Sequence, residues 1–195
     1  MPHPRYRFQR APSRGKLPTV SALGFRLVRL DVERHAEALH AIFGDEESCR
    51  YLPRPAQATV ADTAALIRHW SSSHADTSWA IEDSGSGRCL GRIQTFTQGE
   101  DVWEVACMVV PAARGRRLAE RALQPALDIT FDEKNARRIF ADIDPDNLPC
   151  IRTFERLGFT REGHLRATYR THIGVRDSVI FGMVVGDPRP WRATI

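Results

Sequence analysis

Arg114, Arg116 and Arg117, with Gly115 among them, form the densest cluster of chemistry-bearing residues in the chain. They sit between two patterned stretches. Upstream, Val102 to Val110 is an extended run with β-branched and aromatic residues, ended by Pro111, which has no N–H for a sheet ladder. Downstream, Leu118, Arg121-Ala122, Pro125-Ala126 and Ile129 begin a helical pattern, thickened by Ala119, Leu123 and Leu127. Arginines at the start of a helix are disfavoured by its dipole, unless an anion neutralises both. Strand, basic turn and helix together make an anion holder, because free N–H groups at the helix start and the guanidinium charges converge.

A second group is Asp144-Pro145-Asp146-Asn147 followed by Pro149-Cys150, ahead of a helix with Ile151, Phe154 and Leu157 on its inner face and Gly158 as its stop. Capping and turn chemistry account for Asp144 and Asp146. Asp45, Glu46 and Glu47 form an acidic connection that is either a solvated loop or an attractor for a cationic amine.

The elements that must position these groups follow from periodicity. Phe25 to Leu30 predicts a strand, and Asp31 stands as N-cap before a helix with Val32, Ala36, Leu39 and Phe43 on one face. GDEESCRYLPRP reads as a turn-rich connection with room for one helical turn, and Thr59 or Asp62 starts a second helix. TSWAIED and CLGRIQTF predict a hairpin around SGSG, and RRIFADI, FTREGHLRATY and DSVIFGMVV predict the remaining strands. The order is α+β, a mixed, mostly antiparallel sheet flanked by helices. Residues 1–22 form a basic arm, residues 23–187 the domain, and residues 188–195 a tail without a clear element.

Composition bounds the function. With 195 residues, 42% hydrophobic and 27% charged, the chain fits one globular domain. No apolar run spans a bilayer and no signal-peptide core opens the sequence, so a cytoplasmic location is expected. Cys49, Cys89, Cys107 and Cys150 are scattered without metal-ligand spacing, so no metal site is expected. A net charge of +4 suits an anionic ligand without calling for nucleic acid. The arm interleaves Tyr6 and Phe8 with Arg5, Arg7 and Arg10, which leaves either a surface-draped segment or an RNA-touching one.

In order and spacing, the strand, the Pro111 turn, the R-G-x-x-L-A helix start and the run D-P-D-N-x-P-C-I…F-E-R-L-G-F-x-x-E-G-x-L-R resemble the GNAT acyl-CoA-dependent N-acyltransferases over about residues 24–186. The segment from Asn147 through Glu162-Gly163 to Arg166, with Gly174 and Asp177, looks like the branch containing the ribosomal-protein N-acetyltransferases of the Rim type. The resemblance implies acetyl-CoA or another acyl-CoA as cofactor. Backbone of Met108, Val109 and Val110 would meet the pantetheine arm, amides of Arg114, Gly115, Arg116, Arg117, Leu118 and Ala119 the pyrophosphate, and Asn147 the cofactor. A splay between the Val102–Val110 and Arg138–Ile143 strands would open the reaction slot.

The chain departs from the family pattern at three positions. Arg117 replaces a glycine that lets phosphate approach the backbone, Cys150 stands where many relatives carry serine, and Phe154 falls where many use an acidic tyrosine. The implied reaction is direct attack of a primary amine, of a peptide or small molecule, on the thioester. Glu104 is the base candidate, with a charge paired to a nearby arginine as its bland alternative. Tyr169 and His164 are further candidates near the slot, Glu162 reads as structural, and Cys150 is a candidate acid toward the leaving thiolate, or a small buried cysteine. Two other readings stand beside the enzyme: an idle acyl-CoA-binding module, and a ribosome- or RNA-associated binder using the arm. A monomer or homodimer is expected.

Overall fold

The computed structural model describes residues 24–71 and 77–192. The basic arm of residues 1–22 lies outside them, as do residues 193–195. Within them, seven strands form one sheet in the order β1-β2-β3-β4-β5-β7-β6. The strands are β1 (Phe25–Arg29), β2 (Ser78–Asp83), β3 (Cys89–Gly99), β4 (Val102–Val109), β5 (Arg138–Ile143), β6 (Thr160–Thr171) and β7 (Gly174–Val184). Every neighbouring pair is antiparallel except β4 with β5. That exception follows from the helix between them, since a parallel return needs a long crossover.

The helices are α1 (Val32–Phe43), α2 (Glu46–Cys49), α3 (Val60–Ser71), α4 (Leu118–Asp132) and α5 (Leu148–Arg156). Their starts are chemically marked. The Asp31 carboxylate accepts from Arg34 N at 3.2 Å to open α1. At α3, Thr59 Oγ1 accepts from Asp62 N and Asp62 accepts from Thr59 N, both at 3.1 Å, so each residue satisfies the other's free donor. α4 buries Leu118, Ala122, Leu123, Ala126 and Leu127 on the sheet, and each leucine contributes about 1.5–3 kcal/mol of burial. Pro125 lies inside α4, which nonetheless runs unbroken to Asp132.

The described part of the tail is not featureless. Pro190–Arg192 form a 3-10 turn, Arg189 stacks 4.5 Å from the Phe131 ring centre, and Trp191 Nε1 donates to Asp128 at 3.1 Å. Arg189 and Arg192 also pair with Asp128 and Asp132 on α4. The sequence pattern missed this because the anchors are single side chains without periodicity.

At the other end of the sheet, the fully buried Glu82 of β2 takes ion pairs from Arg26 at 2.8 Å and Arg34 at 2.5 Å, and it meets His35 Nε2 at 3.1 Å. Because His35 Nδ1 accepts from Asp31 N, the network assigns the proton to Nε2. This network ties β1 and β2 to the start of α1.

Candidate active site

The sheet separates where the chemistry is expected. β4 and β5 pair only over Val102–Arg138, Trp103–Ile139 and Glu104–Phe140. Beyond Glu104, β5 stays with β7 through all six of its residues, while β4 stays with β3 as far as Val109. A slot therefore opens between Ala106–Val109 and Ala141–Ile143.

Two cavities meet there. One, of about 460 Å³, runs past Val109, Arg114, Ala119, Asn147, Cys150 and Phe154. The other, of about 390 Å³, lies toward Tyr51, Trp70, Arg92, Phe96, Tyr169 and Arg176. Tyr51, Leu52, Glu104, Ala106, Met108, Asp142 and Asp144 line both.

The basic turn closes the first cavity. Pro111–Ala113 make a 3-10 turn in which Arg114 N donates to Pro111 O at 3.2 Å, so that amide is already committed. The N–H groups of residues 115–119 make no backbone bond among the described residues, and the first helical bond at this end runs from Arg121 N to Arg117 O. Gly115 has φ +80° and Arg117 has φ +53°. Arg117 thus takes a left-handed conformation that favours glycine, at a backbone cost of about 1 kcal/mol. Arg116 and Arg117 are exposed and pair with no carboxylate among the described residues. Arg114 is engaged differently, giving Nε to Val109 O at 3.1 Å and a guanidinium N–H to Ser48 Oγ at 2.6 Å.

The strand residues divide. Val110 donates to Leu90 O and accepts from Ala113 N, so its backbone belongs to the sheet edge and the turn. The Val109 carbonyl faces the open side, where Arg114 reaches it. Met108 lines both cavities and packs against the core. Across the slot, the Asn147 carboxamide oxygen accepts from Cys150 N at 3.3 Å and caps α5, while its NH₂ group has no partner among the described residues.

Glu104 is half-buried and has no arginine partner among the described residues, so the ion-pair alternative does not hold. Gln98 Nε2 donates to it at 2.9 Å. Its carboxyl is pushed up to about 7, by burial first and by the negative Asp142 second, against the lowering effect of Gln98. Tyr169 Oη donates to Asp142 at 2.7 Å, and its hydroxyl is raised by burial and then by that bond. The Cys150 thiol is pushed up to about 12 by burial. Phe154 is buried and meets Phe159 edge-on, with ring centres 5.0 Å apart.

Other sequence candidates serve structure. Asp45 caps α2 by accepting from Ser48 N at 2.8 Å and from Ser48 Oγ at 2.5 Å. Glu162 takes both terminal nitrogens of Arg138, and His164 pairs with Asp177 at 2.8 Å. Sequence reasoning missed Asp142, Arg92 and Gln98. Asp142 sits in an ordinary strand pattern, and only the fold brings it beside Glu104.

Among the described residues no helix is long and apolar enough to cross a membrane, and no group of three metal-ligating side chains occurs.

Comparison with known proteins agrees with this geometry. Residues 23–160 match the acetyltransferase (GNAT) domain family. An uncharacterized N-acetyltransferase, YnaD, of Bacillus subtilis is 32% identical over 35% of this chain and 40% of its own length. The uncharacterized protein YkkB of the same organism is 31% identical over 41% of this chain. The match thus spans under half the length of these curated relatives, 40% and 48%. A probable GNAT-family acetyltransferase of Chromobacterium violaceum superposes with TM-score 0.77 at 24% identity, covering 94% of each chain. The spermidine N-acetyltransferase of Vibrio cholerae, solved with CoA and spermine, gives 0.70 at 17% identity over 83% of this chain and 95% of that one. With the slot, the basic turn and the family match in agreement, the chain belongs to the GNAT acetyltransferase domain family.

Proposed function

We propose that the chain transfers an acyl group, most simply acetyl, from acyl-CoA to a primary amine by direct attack. One observation carries the reading: Glu104, with a carboxyl near 7, stands where two cavities meet, and only one of them is lined by the basic turn. The residues fit the cofactor. The N–H groups of residues 115–119, together with Arg116 and Arg117, suit a pyrophosphate, and the open side of β4 at Val109 suits an amide-bearing arm. Both backbone groups of Val110 are bonded to other backbone groups, whereas among the described residues the Val109 carbonyl is held only by the Arg114 side chain.

Acyl-CoA supplies a thioester carbonyl and a thiolate leaving group. The amine enters from the Tyr51–Trp70 side, where Glu104 and Asp142 hold it as an ammonium. Glu104, ionised above pH 7, takes one proton, the neutral nitrogen forms the new C–N bond as the C–S bond breaks, and the second nitrogen proton leaves with the departing thiolate, which becomes the free thiol. Cys150 is a poor acid at about 12, well above an ordinary thiol near 8.5, so the thiolate departs without needing it. Tyr169 holds Asp142 in place and is a positioning residue in this reading.

The test is release of free thiol from acetyl-CoA across an amine panel of polyamines, ω-amino acids and peptide N-termini. The last arm covers the acceptor class of the ribosomal-protein branch. Turnover with any of them supports transfer. Thermal stabilisation by acetyl-CoA without turnover points to an idle binder, and no stabilisation by acetyl-CoA removes the reading.

A further inference from the structure

Charge is unevenly partnered in the cavity on the Tyr51–Trp70 side. Arg176 is spent on Asp144 and Asp146, and Asp177 on His164 and Ala167 N. Glu104 and Asp142 at one end have no cation among the described residues. Arg92 on β3 lines the same cavity and is 3% exposed. It meets no carboxylate among the described residues. Its guanidinium donates to Gln94 Oε1 and lies 5.6 Å from the Trp70 ring centre. Gln94 is itself fixed by giving Nε2 to Trp70 O at 2.8 Å.

A buried guanidinium has a fork of donors, and one neutral acceptor leaves most of them unused. Burial holds its pKa down at about 10, which still leaves it charged at neutral pH. An uncompensated buried cation is costly unless a ligand supplies the counter-charge.

Resting on the reading of this cavity as the acceptor side, we infer that Arg92 receives a carboxylate on the acceptor, whose amine lies at Glu104 and Asp142. The acceptor is therefore an amine that carries its own carboxylate a few bonds away, and not a simple polycation. The register sets the spacing. Arg92 is paired with Met108, Gln94 with Ala106, and Phe96 with Glu104. Along β3, Arg92 therefore lies four strand residues, about 13 Å, from the Phe96 level that faces Glu104. Trp70, Phe96 and Tyr51 wall that interval, which suits a short methylene chain.

The experiment compares δ-aminovalerate with n-pentylamine, which differ by the carboxylate at the far end. Binding is measured by calorimetry on the CoA-saturated protein, so no turnover is required. The inference expects δ-aminovalerate to bind at least about tenfold more tightly, as a buried charge-assisted pair allows. In Arg92→Met this preference vanishes while n-pentylamine binds as before, and Arg92→Lys, which keeps the charge, retains part of it. Equal binding of the two amines to the unaltered protein overturns the inference, as does a preference that survives in Arg92→Met. If Arg92→Met does not fold, the unaltered protein and Arg92→Lys decide. A carboxylate preference without acetyl transfer would sink the enzymatic reading and keep the site, whereas transfer without the preference would do the reverse.

Discussion

Replacing Glu104 by glutamine separates its catalytic use from its structural cost. The carboxyl moves from an ordinary value of 4.5 to about 7 in the folded protein, chiefly because burial disfavours its charged form. The folded state therefore binds this proton more tightly than the unfolded chain. Glu104 stabilises the fold while protonated, and that contribution is lost as pH rises from 4.5 through 7. At about 1.36 kcal/mol per pH unit, the full loss is about 3 kcal/mol, an upper figure because the group is half-buried. Glu104→Gln should thus match the parent near pH 4.5 and exceed it by up to about 3 kcal/mol at pH 8, measured by urea unfolding at both pH values. Its acetyl transfer should fall by about 10²–10⁴, and the rise of kcat/KM through pH 7 should disappear. A stability difference that does not change with pH would refute the burial argument. An unchanged rate and pH profile would refute the base assignment.

Three further substitutions probe the frame of the site. Arg117→Gly removes a left-handed arginine, so urea unfolding should show up to about 1 kcal/mol of added stability, while calorimetry should show weaker acetyl-CoA binding if the guanidinium meets phosphate. Glu82→Gln leaves Arg26 and Arg34 without their buried counter-charge, and unfolding at neutral pH should show a loss of about 3 kcal/mol. Burial raises the Glu82 carboxyl, but its His35 and Arg26 hydrogen bonds and the charge of Arg34 outweigh that and hold it low. Its stabilisation is therefore present above pH 4.5 and lost as pH falls through its depressed value, and the variant should lack that acid-side loss. Gly91→Ala would place a Cβ 2.3 Å from Met108 O, so β3 must shift from β4, and thermal unfolding should show a Tm well below the parent's, with slower transfer.

Much of the fold was legible because its signals are local. Asp31, Thr59 with Asp62, and Gly158 mark helix ends by hydrogen bonds or φ values that a short window of sequence reveals. The strand, basic turn and helix from Val102 to Asp132 were legible for the same reason. The turn between β3 and β4 was not, since Glu100 and Asp101 take φ +51° and +60° without the Asn-Gly pair that usually marks such a turn. The site was legible by half. Glu104 stands out as an acidic residue in an apolar strand, but its partner Asp142 is 38 positions away in sequence and meets it only because β4 and β5 part. Arg92 reads as an ordinary polar residue in a strand, and its isolation shows only when every nearby carboxylate is found to be engaged or distant.

The three-residue contact between β4 and β5 has a mechanical consequence. It is the narrowest joint in the sheet, linking a four-strand part, β1 to β4, to a three-strand part, β5 with β7 and β6. Amides beside such a seam open at lower free energy than those within either part, and hydrogen exchange at Cys107 and Ala141 should be faster than at Ile93 or Phe181. A cofactor lying along Val109 while touching Asn147 would fasten the two parts together. Exchange at the seam should then slow when acetyl-CoA is added, well beyond any change at the far strands β1 and β6.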